Sequence, residues 1–368
     1  MRIKKKFLLI HETYNYCFFI SGYAYPMILS KTRTRIRAFL QKRYDTSGKS
    51  DVEQYYGEQM AYGHREVLLD FLGASRDLFF KASLTHGKIL PDNLDPIRPL
   101  FRKDGSQILQ VLWRSDAEVE ATKKGVEALS IGATGLYALQ NLGQSIAETK
   151  KSVLAFAKNH LWSENYEDTL NILDGRRVLY MPLHSWDGDV VNHESSDVGV
   201  LKSLNPKKVT VLLAYLDFLD LENRRHYESF GFKVECAGIR ASKVFGSPAG
   251  GREKFLYSLF DIISGADVVV SNALTTGLLY ATCLNKQVGF LPNVGQQKLK
   301  FSHWRSSEDF TLDMNNQNKF FPWLTDTAKS DKQAVYGDIS DALGLDQFKS
   351  PTQLESLISL TTNGSDKS

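Results

Sequence analysis

The residues best suited to chemistry in this sequence form a short turn between an apolar run and a stretch of helical length. The apolar run ends at Val270, and the turn from Ser271 to Gly277 reads SNALTTG. Backbone N–H groups at a helix start lie at the positive end of the helix dipole and attract phosphate oxygens. Ser271, Thr275 and Thr276 would add hydroxyl donors, and Gly277 would let a ligand approach the backbone. The turn is predicted to bind phosphate, although the same residues would suit a simple helix cap.

A second polar group follows another predicted strand, Arg177–Met181. The loop after this strand includes His184 and Ser185. Because ligands of open parallel sheets bind at the carboxyl ends of strands, we expect this loop and the Ser271–Gly277 turn to face one crevice. There His184 and Ser185 would donate hydrogen bonds to a phosphate or a sugar; alternatively, His184 only holds the loop. The nearby Asp187–Asp189 (DGD) is interpreted as a turn and not as a metal site.

The third candidate is His86, which follows an apolar stretch in the first half of the chain. A neutral imidazole has the pKa range needed to remove the proton of an attacking alcohol. An ordinary loop histidine would look the same. Two further cations, Arg240 and Arg252, flank a glycine-rich loop, Gly246–Gly251. A guanidinium there would suit a diphosphate or an acidic sugar, and Arg252 is taken as a candidate donor ligand, although such arginines are often surface charges.

The elements that position these residues are clearest in the second half. Short apolar runs alternate there with stretches of helical length, a pattern typical of β-α-β units and a parallel sheet. The predicted strands are Arg177–Met181, Val209–Ala214, Lys233–Ala237, Asp267–Val270 and Val288–Leu291. The predicted crossover helices are Asp220–Phe230, Gly251–Ser264 and Thr276–Leu284. This half is predicted to be a Rossmann-like nucleotide-binding domain.

The first half is less regular but contains the same kinds of pattern. Apolar residues occur in Asp77–Thr85 and in Ile108–Trp113, and a helical stretch follows over Ser115–Leu129. A chain of 368 residues exceeds the size of one ordinary core, so two domains are expected. We predict an acceptor-side domain over 1–170, with the junction near the turn at Asp174–Gly175. A donor-binding domain over 171–338, helices over 339–361 with a break at Pro351, and a disordered tail over 362–368 would follow.

Composition and charge limit the possible surroundings. The net charge of +3 is too small for nucleic-acid binding across the whole surface. Residues 1–43 hold ten basic residues and only one acid, Glu12, which would suit peripheral contact with an anionic membrane or a solvated basic face. The three cysteines form no CxxC pair, so neither a disulfide framework nor a zinc site is indicated, and the cytoplasm is the expected location. No apolar run suits a secretion signal or a membrane span.

Taken together, the motifs resemble those of bacterial surface-polysaccharide glycosyltransferases of the GT-B type and, more distantly, of CDP-glycerol glycerophosphotransferases. The likeness covers about residues 77–295, and its motifs are short. It is carried by His86-Gly87, by the strand end Leu179-Tyr180-x-Pro182, and by the acid-led strand and Ser/Thr-rich turn that precede Lys286-x-Val288. Thr134 departs from it, because proline is common at that place. The resemblance implies that donor phosphates bind to Ser271, Asn272, Thr275, Thr276 and Gly277 and that His86 is the general base.

The resemblance also implies a fold and a reaction. The fold would be α/β, with two Rossmann-like domains whose parallel sheets face across a cleft. The chain would transfer a sugar from a nucleotide-activated donor to a glycan or lipid-linked acceptor of lipopolysaccharide or capsule, without a metal or other cofactor. The alternatives are a CDP-alcohol phosphotransferase of the same fold, whose second histidine motif has no clear counterpart here, and a non-catalytic nucleotide- or glycan-binding protein. A nucleotide-sugar epimerase would need cleft carboxylates that the sequence does not place.

Overall fold

The computed structural model describes most of the chain from residue 61 onward. The described residues are 61–75, 78–80, 82–84, 97, 99, 107–185, 189–193, 198–214, 217–218, 220–238, 254–291, 298–302, 320–357 and 360–362. The basic segment 1–43, His86, Arg240 and Arg252 lie outside these ranges, so the predictions made for them concern residues that the structure does not describe.

Strands and helices alternate along most of the described chain. The strands are β1 (Leu78–Phe80), β2 (Ala82–Leu84), β3 (Leu109–Leu112), β4 (Ala128–Ser130), β5 (Val178–Met181), β6 (Asp189–Asn192), β7 (Val209–Leu212), β8 (Lys233–Glu235), β9 (Val268–Ser271), β10 (Gln287–Phe290), β11 (Lys298–Ser302) and β12 (Leu360–Thr362). The α-helices are α1 (His64–Leu72), α2 (Ser115–Lys123), α3 (Thr134–Asn141), α4 (Ile146–Asn159), α5 (Tyr166–Leu173), α6 (Gly199–Lys202), α7 (Leu221–Glu228), α8 (Phe255–Ser264), α9 (Thr276–Cys283), α10 (Lys332–Leu343) and α11 (Pro351–Leu357).

The larger sheet is parallel throughout and has the strand order β8-β7-β5-β9-β10. Strands β7 and β8 therefore lie on one side of β5, and β9 and β10 lie on its other side. The order reverses between β5 and β9, which are direct neighbours with Met181 opposite Ser271. All residues of β5 and β9 are buried, which explains why both read as continuous apolar runs. The predicted parallel sheet is confirmed.

The smaller parallel sheet has the order β2-β3-β4. One prediction is wrong here: the helical stretch expected over Ser115–Leu129 ends at Lys123, and its last part enters strand β4. Gly125 has a φ of +67°, the left-handed conformation that commonly ends a helix. The chain then enters β4, which runs parallel to β3 with Leu129 opposite Val111. The structure is thus α/β, with two parallel sheets.

Three further segments differ in detail from the prediction. The expected turn before β5 is present, with Gly175 at a φ of +70°, but helix α5 precedes it, capped by the side chain of Asn165. Pro351 begins helix α11, as proline often does, and does not interrupt one. Strand β12 pairs with β1 in antiparallel register where helix and a disordered tail were expected. The assignment of the two domains remains a prediction.

The two faces of the larger sheet belong to different buried clusters. Leu179 and Val269 point to the first cluster, whereas Val178 and Val268 point to the second, as the period of a strand requires. The first cluster also contains apolar residues of α1, α3, α4, α8, α9 and α10, so these helices share one core with the smaller sheet. Among the described residues, no helix has both the length and the apolar character needed to cross a bilayer.

Candidate functional site

The loops after β5 and β9 meet where the strand order reverses. The Ser271 hydroxyl donates to the carbonyl oxygen of Met181 at the end of β5. The side-chain oxygen of Asn272 accepts a hydrogen bond of 2.7 Å from the backbone N–H of Leu183. The two loops therefore lie side by side at the carboxyl edge of the sheet, as predicted. This edge, at the reversal point, is where open α/β sheets bind their ligands.

Helix α9 begins at this edge with donors that nothing in the described structure satisfies. Thr275 is the N-cap residue, but its side chain caps no backbone N–H. Its hydroxyl oxygen is buried and has no hydrogen-bond partner among the described residues. The backbone N–H groups of Thr276 and Gly277 likewise have no partner in the part of the chain described, whereas that of Leu278 bonds to the Thr275 carbonyl at 3.1 Å. Two amides and one hydroxyl thus remain available at the positive end of the helix.

Ser271 and Gly277 have structural partners that the sequence did not reveal. The Ser271 side chain is fully buried, and its oxygen also accepts a hydrogen bond of 3.1 Å from the backbone N–H of Ala273. Its only proton goes to Met181, so Ser271 fastens the turn to β5. At Gly277, a Cβ atom would lie 2.1 Å from Cε of Met181. The space beside this glycine is filled by the methionine side chain.

The two other candidates, His184 and Ser185, lie in the loop after β5 and differ in their exposure to solvent. Ser185 is buried; its backbone N–H donates to Asp217 Oδ2 at 2.8 Å, and its hydroxyl oxygen accepts from the N–H of Val191 at 2.9 Å. His184 is exposed, with Nδ1 3.0 Å from the carbonyl oxygen of Ser185. Of this predicted pair, His184 is presented to solvent, and Ser185 holds the loop.

A buried polar network below this loop was missed by the sequence analysis. Asp217 Oδ1 lies 3.2 Å from Nε2 of His193, whose Nδ1 lies 3.0 Å from the hydroxyl of Tyr227. All three side chains are almost fully buried. Burial raises the pKa of Asp217, but hydrogen bonds and charge from His193, together with hydrogen bonds from Ser185, outweigh it and hold this pKa below the usual range. Asp217 thereby ties the loop after β7 to the loop after β5.

The molecule contains a second helix start of the same type, at α3. Helix α3 follows β4 and begins Thr134-Gly135-Leu, as α9 follows β9 and begins Thr276-Gly277-Leu. At α3, side chains of the protein bind two of the corresponding groups. The Gly135 N–H donates to the hydroxyl oxygen of Tyr280 at 3.3 Å, and the Thr134 hydroxyl is hydrogen-bonded to Nδ1 of buried His64.

This pair of helix starts gives an internal comparison. At α3, the glycine N–H and the threonine hydroxyl have side-chain partners, whereas at α9 the Gly277 N–H and the Thr275 hydroxyl have none in the described structure. A buried hydroxyl without a partner, such as that of Thr275, is uncommon in folded proteins and indicates a bound group or a functional role. The unpaired start is also the one at the reversal point of the larger sheet. An oxyanion such as a phosphate group matches both the donors and the dipole.

The described part of the chain holds no candidate metal site. Within the described residues, no three His, Cys, Asp or Glu side chains are grouped as metal ligands. Residues 187 and 188 of the DGD turn lie outside them, and Asp189 begins β6.

No family model, curated protein or solved structure matches this chain.

Proposed function

We propose that this chain is a nucleotide-sugar-dependent glycosyltransferase of the GT-B type, which transfers a sugar to a glycan or lipid-linked acceptor in bacterial surface-polysaccharide synthesis. The observation that supports the proposal most is the start of α9. Its two amides and the Thr275 hydroxyl are unpaired in the described structure, at the reversal point of a parallel sheet with Rossmann-like strand order. The donor's phosphates would bind there, with His184 and Arg252 as further ligands.

The proposed reaction is displacement at the anomeric carbon. His86, which follows strand β2 of the smaller sheet by two residues, would take the proton of the acceptor hydroxyl. The acceptor oxygen forms a bond to the anomeric carbon while the bond from that carbon to the phosphate oxygen breaks. The departing phosphate keeps the electron pair, and the fixed N–H donors of Thr276 and Gly277 would stabilise its negative charge without having to reorient. A smaller sheet that holds the acceptor would place the two substrates on opposite sides of a cleft.

A donor screen tests this function. The full-length protein is incubated with UDP-, GDP- and CDP-linked sugars, with a CMP-linked sugar and with CDP-glycerol, and released nucleotides are separated by chromatography. We expect slow release of a nucleoside diphosphate from one class of diphosphate-linked sugar, with water as a poor acceptor. A nucleoside diphosphate shows that the link between the sugar and the terminal phosphate is broken and that the diphosphate itself stays intact.

The other outcomes assign the chain differently. Release of CMP from CDP-glycerol would show attack at phosphorus and would favour the alcohol phosphotransferase. Tight nucleotide binding without release, in the presence of crude acceptor glycan, would favour a binding protein. If no nucleotide binds at all, as measured by calorimetry, the donor site proposed at α9 is wrong.

A further inference from the structure

Tyr280 connects the candidate donor turn to the smaller sheet. It lies on α9, four residues after Thr276, and is therefore one helical turn from the unpaired amides. Its side chain is 2% exposed, and its ring packs against Phe260 at 5.2 Å and Trp113 at 6.4 Å between centroids. Its hydroxyl oxygen accepts the Gly135 N–H at the start of α3.

The contact between Tyr280 and Gly135 is complementary in shape. A Cβ atom at Gly135 would lie 2.4 Å from two ring carbons and 2.8 Å from the hydroxyl oxygen of Tyr280. Any larger residue at 135 must therefore displace the ring. The next residue back, Thr134, hydrogen-bonds to His64 at the start of α1, so α1, α3 and α9 meet at this point.

The same region of the smaller sheet is held from its other side. The Ala133 N–H donates to the carbonyl oxygen of Leu343 at 2.8 Å. Gly132 has a φ of +81°, and a Cβ atom added there would lie 2.6 Å from the carbonyl oxygen of Gly344. The loop after β4 is thus fixed between the end of α10 and the Tyr280 side chain. Only Tyr280 among these contacts belongs to the helix that begins at the donor turn.

We propose that Tyr280 is a positioning residue, which sets the donor turn at a fixed place relative to the carboxyl edge of the smaller sheet. This inference rests on the proposed function. Because reaction requires the acceptor oxygen and the anomeric carbon to be aligned, loosening the contact lowers turnover, whereas the donors that bind phosphate on α9 are left in place. Tyr280 itself touches neither substrate.

The test compares two buried tyrosines. Tyr280→Phe removes the hydroxyl that joins α9 to α3. Tyr137→Phe is the matched control: Tyr137 is also fully buried, with its hydroxyl donating to the Ile131 carbonyl at 2.7 Å and accepting from the Lys349 N–H at 3.1 Å, but it does not contact α9 through these bonds. Tyr137→Phe loses both of these bonds, so it should lose at least as much thermal stability as Tyr280→Phe.

With the donor found in the screen, Tyr280→Phe is expected to lower kcat about tenfold or more while the donor Kd changes less than about twofold. Tyr137→Phe should leave both constants within about twofold of the wild type. Gly135→Ala, which displaces the Tyr280 ring, should reproduce the kcat loss. Equal kcat losses in the two tyrosine variants, or a weakened donor Kd in Tyr280→Phe, would overturn the positioning role.

Amide hydrogen exchange separates this inference from the proposed function. In Tyr280→Phe, the Gly135 amide at the start of α3 should exchange faster, and so should the hydrogen-bonded α9 amides from Leu278 onward. In Tyr137→Phe, the α9 amides should stay as protected as in the wild type. A wild-type protein that binds no nucleotide would refute the donor site alone. Unchanged exchange at α9 in Tyr280→Phe would refute the positioning role even if donor turnover is found.

Discussion

Thr275 and Ser271 lie four residues apart, yet their hydroxyl groups have opposite roles in the structure. The Ser271 hydroxyl has two partners within the protein, and that of Thr275 has none among the described residues. Removing a satisfied buried hydroxyl costs folding free energy, whereas removing an unsatisfied one removes a desolvation penalty. The two residues can therefore be distinguished by measuring stability and ligand binding together.

The double change of Thr275 and Thr276 to Val should weaken nucleotide binding and leave the fold intact. Each lost hydrogen bond to a charged oxygen is worth about 1.5–3 kcal/mol, so losing two should weaken binding by about 3–6 kcal/mol. The free energy of unfolding should stay the same or rise, because a buried unpaired hydroxyl is removed. Calorimetric titration with nucleoside diphosphate and urea unfolding measure the two quantities.

Ser271→Ala is the matched control for this prediction. It removes the bond to Met181 and should lower the free energy of unfolding by about 1–3 kcal/mol, with any loss of binding arising from the displaced turn. If the threonine double variant binds nucleotide with wild-type affinity, the Ser271–Gly277 turn is not part of the donor site.

The proposed role of His86 is tested by comparing the change in turnover with the change in donor affinity. A general base contributes about 10²- to 10⁴-fold, so His86→Ala and His86→Gln should each lower turnover by that order with little change in donor affinity. The wild-type rate should rise with pH through one group in the histidine range, and that limb should be absent from both variants. His184→Ala should mainly raise the donor KM. Full turnover in His86→Ala would refute the mechanism.

At this scale the sequence predicted which loops meet but not which side chains remain available. Strand ends in a parallel sheet converge, so the turn and the His184 loop could be placed at one edge from strand order alone. The Met181 carbonyl oxygen that accepts the Ser271 hydroxyl is 90 residues away in sequence. The Met181 side chain also fills the space beside Gly277. Such contacts depend on tertiary packing. For the buried network below the loop, which the sequence analysis missed, the sequence did hold a signal: Asp217 is an acidic residue that follows strand β7.

Among the elements, β5 and β9 of the larger sheet were predictable because both of their faces are buried. Each forms a continuous apolar run that no surface helix would show. Strand β4 was not, because it begins soon after helix α2 ends at Lys123 and only Gly125 marks the change. Strand β12 pairs with β1, a partner at least 280 residues earlier in sequence, which no local pattern reveals.

The end of helix α4 should make stability depend on pH. Its C-cap residue, His160, is buried, with Nδ1 3.2 Å from the Gln287 side-chain oxygen and Nε2 3.2 Å from the Trp323 carbonyl oxygen. Burial lowers the pKa of His160 to about 4, against hydrogen bonds that raise it. Between pH 4 and the ordinary histidine pKa of about 6.5, the unfolded chain binds this proton and the folded chain does not.

The stabilising contribution of neutral His160 should therefore be fully present above about pH 6.5. As the pH drops towards 4, this contribution is lost and the free energy of unfolding should fall by about 3 kcal/mol in total. Urea unfolding at several pH values measures the slope. His160→Gln cannot titrate, so its slope should be smaller by up to one proton in this window. Asp217 changes stability in the same direction, but at lower pH, because its folded pKa lies below the usual range. Parallel slopes for wild type and His160→Gln would contradict this account.

For the whole molecule, the smaller and the larger parallel sheet share one buried cluster, and each sheet also contributes to a cluster that the other does not join. The first buried cluster contains Val111 of the smaller sheet, Val269 of the larger sheet and helices between them. Helix α4 illustrates the sharing: it lies before the predicted boundary at 170, yet the Trp162 side chain just after it donates to the Phe290 carbonyl oxygen at 2.9 Å. Sequence length predicted two units, and only packing shows how closely they join.

The basic segment 1–43 gives the last prediction, which concerns where the whole molecule acts. Its ten cations and single acid would contribute about 1 kcal/mol per basic residue at an anionic surface. The full-length protein should co-sediment with vesicles that contain anionic lipid and remain in solution with neutral ones. Binding should fade with salt, because the screening length shrinks from about 10 Å at 0.1 M to about 3 Å at 1 M ionic strength.

A pair of variants with equal net charge locates the effect. Changing Lys4, Lys5 and Lys6 to Gln removes three charges from the segment and should weaken vesicle binding by about 3 kcal/mol, or about a hundredfold. Changing three exposed lysines elsewhere, Lys123, Lys158 and Lys207, to Gln lowers the net charge equally and should leave binding nearly unchanged. Equal weakening in both variants would mean that overall charge and not the segment drives contact. Equal binding of the wild type to neutral vesicles would rule out the electrostatic account.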